Sequence, residues 1–133
     1  NDGSTGDMLT EGDKLAFLVR SEKPLYLLLL NAESEGAIAL LYPYERQELA
    51  RIPAYQVKYI PSKNKQNWIK VQPPFGTEHL IAIGFTEKTD FLEQFIGKER
   101  LIPNSDLYNK LMHALKTVPY GFSVLNLYTV AKK

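Results

Sequence analysis

The sequence predicts a β-rich α+β domain: an antiparallel, sandwich-like pair of sheets of about seven strands, with two C-terminal helices packed on one sheet. Three observations carry this. Apolar alternation recurs about every ten residues, with turn residues between the segments. Two segments, Leu25 to Asn31 and His79 to Phe85, are apolar on both faces, as strands covered on both sides must be. Helical spacing is confined to two adjacent stretches late in the chain. Crossovers of a doubly wound sheet would alternate with strands, so these helices are expected to cover a sheet face instead.

The elements follow in order. Residues 1–12 are polar and glycine-containing and read as a disordered leader or linker, leaving 13–133 as a single β-rich domain. Leu15, Phe17 and Val19 alternate with Lys14, Ala16, Leu18 and Arg20, a short strand with one apolar face. Ser21-Glu22-Lys23-Pro24 is a turn, its proline fixing φ and removing a donor. Leu25 to Asn31 is a central strand, and Ala37 to Tyr42 the next, ended by Pro43. The polar Ala32 to Gly36 loop makes these two a hairpin. After a connection with a helical turn at Glu45 to Leu49, Tyr55, Val57 and Tyr59 alternate as a fourth strand, up to Pro61. Trp68 to Val71 is a fifth, expected to pair with the fourth across Ser62 to Asn67.

His79 to Phe85 is the sixth strand. The first helix is expected to be capped by Asp90 with Glu93 as reciprocal partner, to bury Phe91, Leu92, Phe95 and Ile96, and to stop at Gly97. Ser105 caps the second, whose Leu107, Tyr108, Leu111, Met112 and Leu115 fall at helical spacing. Pro119-Tyr120-Gly121 breaks the pattern, and Phe122 to Val130 alternates as a long last strand.

Composition bounds the function. The 133 residues fit one domain with its own core. With 44% hydrophobic and 23% charged residues the chain is globular rather than disordered. A formal net charge of +1 gives no steering toward nucleic acid, and none is expected as a partner. The absence of cysteine excludes disulfides, thiolate metal sites and cysteine nucleophiles. The longest apolar run, Leu25 to Leu30, is far too short to span a bilayer, so no transmembrane segment is predicted. The chain begins at Asn1 and reads as an excised domain, with a periplasmic or otherwise exported setting favoured over the cytoplasm.

Gln72-Pro73-Pro74-Phe75-Gly76-Thr77-Glu78-His79 joins a rigid turn, a glycine and a carboxylate to an apolar strand. With Gly12-Asp13, Leu25-Tyr26-Leu27-Leu28, Gly36 to Pro43 and Ile60-Pro61 before it, and Leu80-Ile81-Ala82 after it, it forms an ordered series of motifs over roughly residues 10 to 90. The series resembles a bacterial domain of unknown function found appended to caspase-like peptidases, protein kinases and repeat-containing exported proteins. The resemblance implies a β-rich accessory module with no assigned catalytic residues. Its company implies regulation, recognition or envelope attachment, by association rather than chemistry.

Glu78 follows the turn closely enough for its carboxylate to accept from backbone N–H groups left free there, which would lock Gly76 and Glu78 into a structural motif. A ligand contact is the alternative, and no second carboxylate or nucleophile in the motif supports a catalytic acid. His79 opens a strand and His113 lies on the polar side of a helix, so neither has a partner at metal-ligand spacing. No serine lies in a Gly-x-Ser-x-Gly elbow and no glycine-rich phosphate loop is present. The chain is therefore read as noncatalytic, with no cofactor and no metal.

One stretch could bind a polymer. Between Leu49 and Thr77 there is no acid, while Arg51, Lys58, Lys63, Lys65 and Lys70 are interleaved with Tyr55, Tyr59 and Trp68. Such a hairpin could hold an anionic polymer by charge and stacking. The bland alternative is that the lysines blunt a sheet edge while Tyr55, Val57 and Tyr59 form an inward face. Tyr42-Pro43-Tyr44 could likewise stack on a sugar or peptide, or close the core. The binding surface expected from sequence comprises Tyr42, Tyr44, Lys58, Lys63, Lys65, Trp68 and Phe75. Its expected occupant is a protein partner or another domain of the parent chain. The alternative is a glycan or cell-wall ligand, which needs Tyr42, Tyr44 and Trp68 exposed in one plane.

Overall fold

The computed structural model describes residues 7–60, 69–71, 73 and 75–132. In chain order these form β1 (Asp7–Thr10), β2 (Lys14–Leu15), β3 (Phe17–Val19), β4 (Tyr26–Ala32), β5 (Ile38–Tyr42) and a 3-10 helix (Arg46–Leu49). There follow β6 (Lys58–Ile60), β7 (Ile69–Lys70), β8 (Gly76–Phe85), a second 3-10 helix (Asp90–Phe95), β9 (Arg100–Leu101), α1 (Asp106–Thr117) and β10 (Tyr120–Val130).

The protein is β-rich and built around one six-stranded sheet, in the order β1-β10-β8-β4-β5-β9. β4 and β5 form the expected hairpin, with a bulge between Leu29 and Leu30. β8 runs antiparallel to both neighbours, pairing Leu28 with Ile83 on one side and Phe122 with Ile83 on the other. β1 runs parallel to β10, so the sheet is mixed rather than antiparallel. Asp7–Thr10, read from sequence as leader, is thus a sheet strand. The last strand of the chain is an inner one, lying between the first and the eighth.

The two segments that are apolar on both faces are the inner strands β4 and β8. Side chains alternate across a strand, so each feeds two cores. Leu28, Leu30, Ile83 and Phe85 pack with Leu92, Phe95, Leu107 and Leu111 on the helical side. Leu27, Leu29 and Leu80 pack with Tyr42, Ile52 and Ile60 on the other. Burying a side chain as fully as Leu28 or Phe85 contributes about 1.5–3 kcal/mol each, which outweighs the weak strand propensity of a leucine run.

Among the described residues the second layer is less than a full sheet. Opposite the helices, the ribbon β3–β6 covers the sheet through Phe17, Val19 and Ile60. A further ribbon pairs β2 with β7. The expected pairing of the fourth and fifth strands is therefore replaced: each joins a different N-terminal strand. The fourth strand also starts later. Tyr55 has φ 64°, a left-handed turn conformation that an extended strand cannot contain. The register Phe17↔Ile60 and Val19↔Lys58 then turns even-numbered residues inward. Tyr55, Val57 and Tyr59, expected to face the core, are 60%, 43% and 38% exposed.

Only one of the two expected helices is α-helical. Ser105 caps α1 as predicted, its Oγ accepting from Tyr108 N–H at 3.2 Å. Asp90–Phe95 is a 3-10 helix that starts after Thr89, without a side-chain cap. Its length gives little return on helix nucleation, and Gly97 at φ 75° turns the chain away at once. Among the described residues no helix is long and apolar enough to cross a membrane.

Candidate functional site

Of the residues expected to form a binding face, Tyr42 lies in the core at 2% exposure and Lys58 sits over its ring, 5.8 Å from the centroid. That burial corrects the reading of Tyr42 as a surface ring. It also leaves no coplanar platform of Tyr42, Tyr44 and Trp68. Burial, and secondarily the carboxylate of Glu48, push the Tyr42 phenol far above its ordinary pKa. Tyr44 is exposed, and its N–H donates to Glu48 Oε1 at 2.8 Å. Phe75 is half-buried, and its carbonyl accepts from Ser34 Oγ at 3.1 Å. Lys63, Lys65 and Trp68 lie outside the described residues.

The Gly76–Glu78 motif is built, by a different route from the one expected. Glu78 is 8% exposed on the inner strand β8 and accepts from side chains rather than from backbone. Asn31 Nδ2 on β4 donates to Glu78 Oε1 at 2.6 Å, and Thr129 Oγ1 on β10 donates to Glu78 Oε2 at 3.0 Å. The turn joins through Thr129: Gly76 N–H donates to its Oγ1 at 3.0 Å. One carboxylate thus ties three strands, and a charged acceptor makes each bond stronger than a neutral one. Gly76 has φ 137°, and a Cβ there would stand 3.0 Å from Ser34 Cβ. His79 follows Glu78 but points to the opposite face, as strand alternation requires, so the two do not form an acid–base pair. His79 and His113 are both exposed. Among the described residues no group of three or more His, Cys, Asp or Glu could hold a metal.

The open surface lies elsewhere, along β10. A helix is about 10 Å across and strands lie about 4.8 Å apart, so one helix covers about two strands of six. α1 packs over β4 and β8 through Leu107 and Leu111. The start of β10 is left uncovered: Tyr120 and Phe122 are 40% and 66% exposed, with ring centroids 6.2 Å apart. On this face a cleft of about 300 Å³ runs between α1 and the sheet, lined by residues including Ile81, Met112, Leu115 and Phe122.

A second cleft, of about 530 Å³, lies on the other face of the same strand. Its floor includes Ala82 and Gly84 of β8 beside Ser123 and Gly121 of β10, paired across the strands. Arg20 and Lys23 line it from the turn after β3, and among the described residues no carboxylate does. Arg20 stacks over Tyr55, 5.5 Å from the ring centroid. None of these residues was in the face expected from sequence. Alternation marked Phe122 as half of an apolar face, but only the width of α1 against that of the sheet leaves it open.

No curated protein and no solved structure matches the chain. One family profile does, over residues 8–88, from the second residue of β1 to just past the end of β8. It stops short of β10, which the sheet places between those two strands. The match covers more than half of the chain and the whole glycine–carboxylate motif: the protein belongs to the family Domain of unknown function (DUF4384).

Proposed function

We propose that this chain is a noncatalytic accessory module, working by protein recognition within a larger bacterial protein. Its binding surface is the uncovered side of β10. The observation that carries this reading is the exposed aromatic pair Tyr120 and Phe122, set between two clefts on one strand. Contiguous exposed rings beside an apolar cleft are characteristic of binding surfaces, and aromatic anchors supply most of the affinity there. The buried carboxylate is read as structural, because both its oxygens are engaged by strand neighbours. The parent setting, a peptidase, a kinase or an exported repeat protein, is the one the family resemblance implies. A glycan platform has no support from Tyr42, whose ring is in the core.

The test is photo-crosslinking of the full-length parent protein in its own cell, with a photoreactive benzoylphenylalanine at position 122 and, as control, at position 44. Tyr44 is also an exposed ring and lines neither cleft. The expected result is a reproducible adduct from position 122, to one partner or to another part of the parent chain, that position 44 does not give. No adduct at 122, or the same adducts from both positions, sinks the reading.

A further inference from the structure

The geometry points to strand addition: the edge of β10 that no described strand covers binds an extended segment of a partner protein, apolar on one face and acidic on the other. This rests on the recognition reading above and specifies its mode. Val130 C=O accepts from Glu11 N–H at 2.8 Å on the β1 side, and Pro119 C=O accepts from Thr86 N–H at 3.3 Å on the β8 side. Backbone groups alternate sides along an extended strand. The N–H and C=O of Tyr120, Phe122 and Val124 therefore point away from β8. β1 pairs with β10 only from Leu127 onward, so among the described residues these groups face no strand. Such a row is a template for another strand. The backbone then supplies affinity and alternate side chains supply selectivity.

The two faces define the partner. A strand added here sends alternate side chains to opposite faces of the sheet. On one face they meet the cleft bordered by Met112, Leu115 and Phe122, which no charged side chain lines among the described residues. On the other they meet Arg20 and Lys23, over a floor of small residues that leaves room for them. Carboxylates complement that face, and burying them unpaired elsewhere would be costly. The free stretch accommodates a strand of ordinary length, about 5–6 residues. A second copy pairing through its own β10 would bring Tyr120 to Asn126, which contains no acid to meet Arg20 and Lys23.

The experiment uses the whole chain and three end-capped, fluorescein-labelled hexapeptides, read by anisotropy. One alternates valine with glutamate, one has the same composition in an order that breaks the alternation, and one has lysine for glutamate. The alternating acidic peptide is expected to bind at least about tenfold more tightly than either control, the equivalent of one well-made added interaction. Phe122→Ala removes a ring, whereas Phe122→Pro removes the ring and an N–H on the free edge without touching the β8 ladder. Phe122→Pro should cost about a further tenfold beyond Phe122→Ala. The pair Arg20→Glu and Lys23→Glu should reverse the preference toward the lysine peptide. Circular dichroism and backbone amide spectra establish that each variant folds.

Equal binding of alternating and shuffled peptides overturns the proposal, as does equal loss for Phe122→Ala and Phe122→Pro. A concentration-dependent dimer in sedimentation that Phe122→Pro abolishes gives the edge to a second copy and also overturns it. If no peptide binds while the position-122 adduct persists in cells, strand addition fails and the recognition reading stands. Loss of the adduct as well removes both.

Discussion

Thr129 and Glu78 stand 51 residues apart in sequence and 3.0 Å apart across β10 and β8, the hydroxyl donating to the buried carboxylate. The same oxygen accepts from Gly76 N–H, so the turn before β8 and the end of the chain are joined at one atom. Gly76 C=O lies 3.2 Å from it as well, but a hydroxyl has one proton and the charged acceptor makes the stronger bond.

Removing that hydroxyl strands two groups at once. Thr129→Val should destabilise the protein by about 1–3 kcal/mol in urea unfolding, the range for a buried polar group left without a partner. Glu78→Gln should cost a similar amount. Their double-mutant cycle should show a coupling of at least about 0.5 kcal/mol, as for residues in one hydrogen-bond network. Strict additivity would mean the contact contributes nothing to stability.

The facing glycines Gly84 and Gly121 should behave oppositely although they are cross-strand partners. A Cβ on Gly84 would stand 2.7 Å from Leu25 Cδ2, whereas one on Gly121 meets nothing within 4 Å. Gly84→Ala should cost about 1–3 kcal/mol through overpacking of Leu25. Gly121→Ala should be neutral or stabilising by about 0.4–1 kcal/mol, because it only restricts the unfolded chain. Thermal melts of the two variants decide it, and equal shifts would contradict the packing described.

Tyr42 makes stability fall at alkaline pH. Its folded pKa is raised, chiefly by burial, so the contribution is complete below the ordinary value of 10.0 and is lost as pH rises from there toward the folded value. The unfolded chain releases this proton first, with a limiting slope of about 1.4 kcal/mol per pH unit. Unfolding free energies of the protein and of Tyr42→Phe, measured from pH 8 to about pH 11.5, should run parallel below about pH 10 and diverge above it, the variant falling less. Parallel curves throughout would place the phenol in water.

A chain ended at residue 88, where the family match stops, should not fold. It lacks β10, the one strand among the described residues that pairs with β1, and α1, which buries Leu28 and Ile83. Amide dispersion and cooperative unfolding should both be lost in 7–88 and present in 7–132. A cooperative transition in the shorter chain would show that the family region carries its own core.

Period-two alternation and proline placement were enough to locate β4, β5, β8 and β10, and helical spacing with a serine cap was enough for α1, because those signals are local. The same reasoning misplaced Tyr55, where a single left-handed residue shifted which side of the strand faces inward. It also passed over β1, since Asp-Met-Leu-Thr becomes a strand only because β10 offers an edge to it. Glu78 stood out in the sequence through its turn, but its partners Asn31 and Thr129 come from distant strands that no spacing rule connects.

By itself the sequence determined a β-rich domain, the strands that must be covered on both faces, and the absence of thiol chemistry. The tertiary structure alone decided that the last strand is an inner one, that Tyr42 is core, and that the start of β10 stays open. The reason is that side-chain alternation is a property of neighbours along the chain, whereas exposure depends on what width of sheet the remaining elements can cover. One helix and two short ribbons cover a six-stranded sheet incompletely, and the uncovered part falls at Phe122.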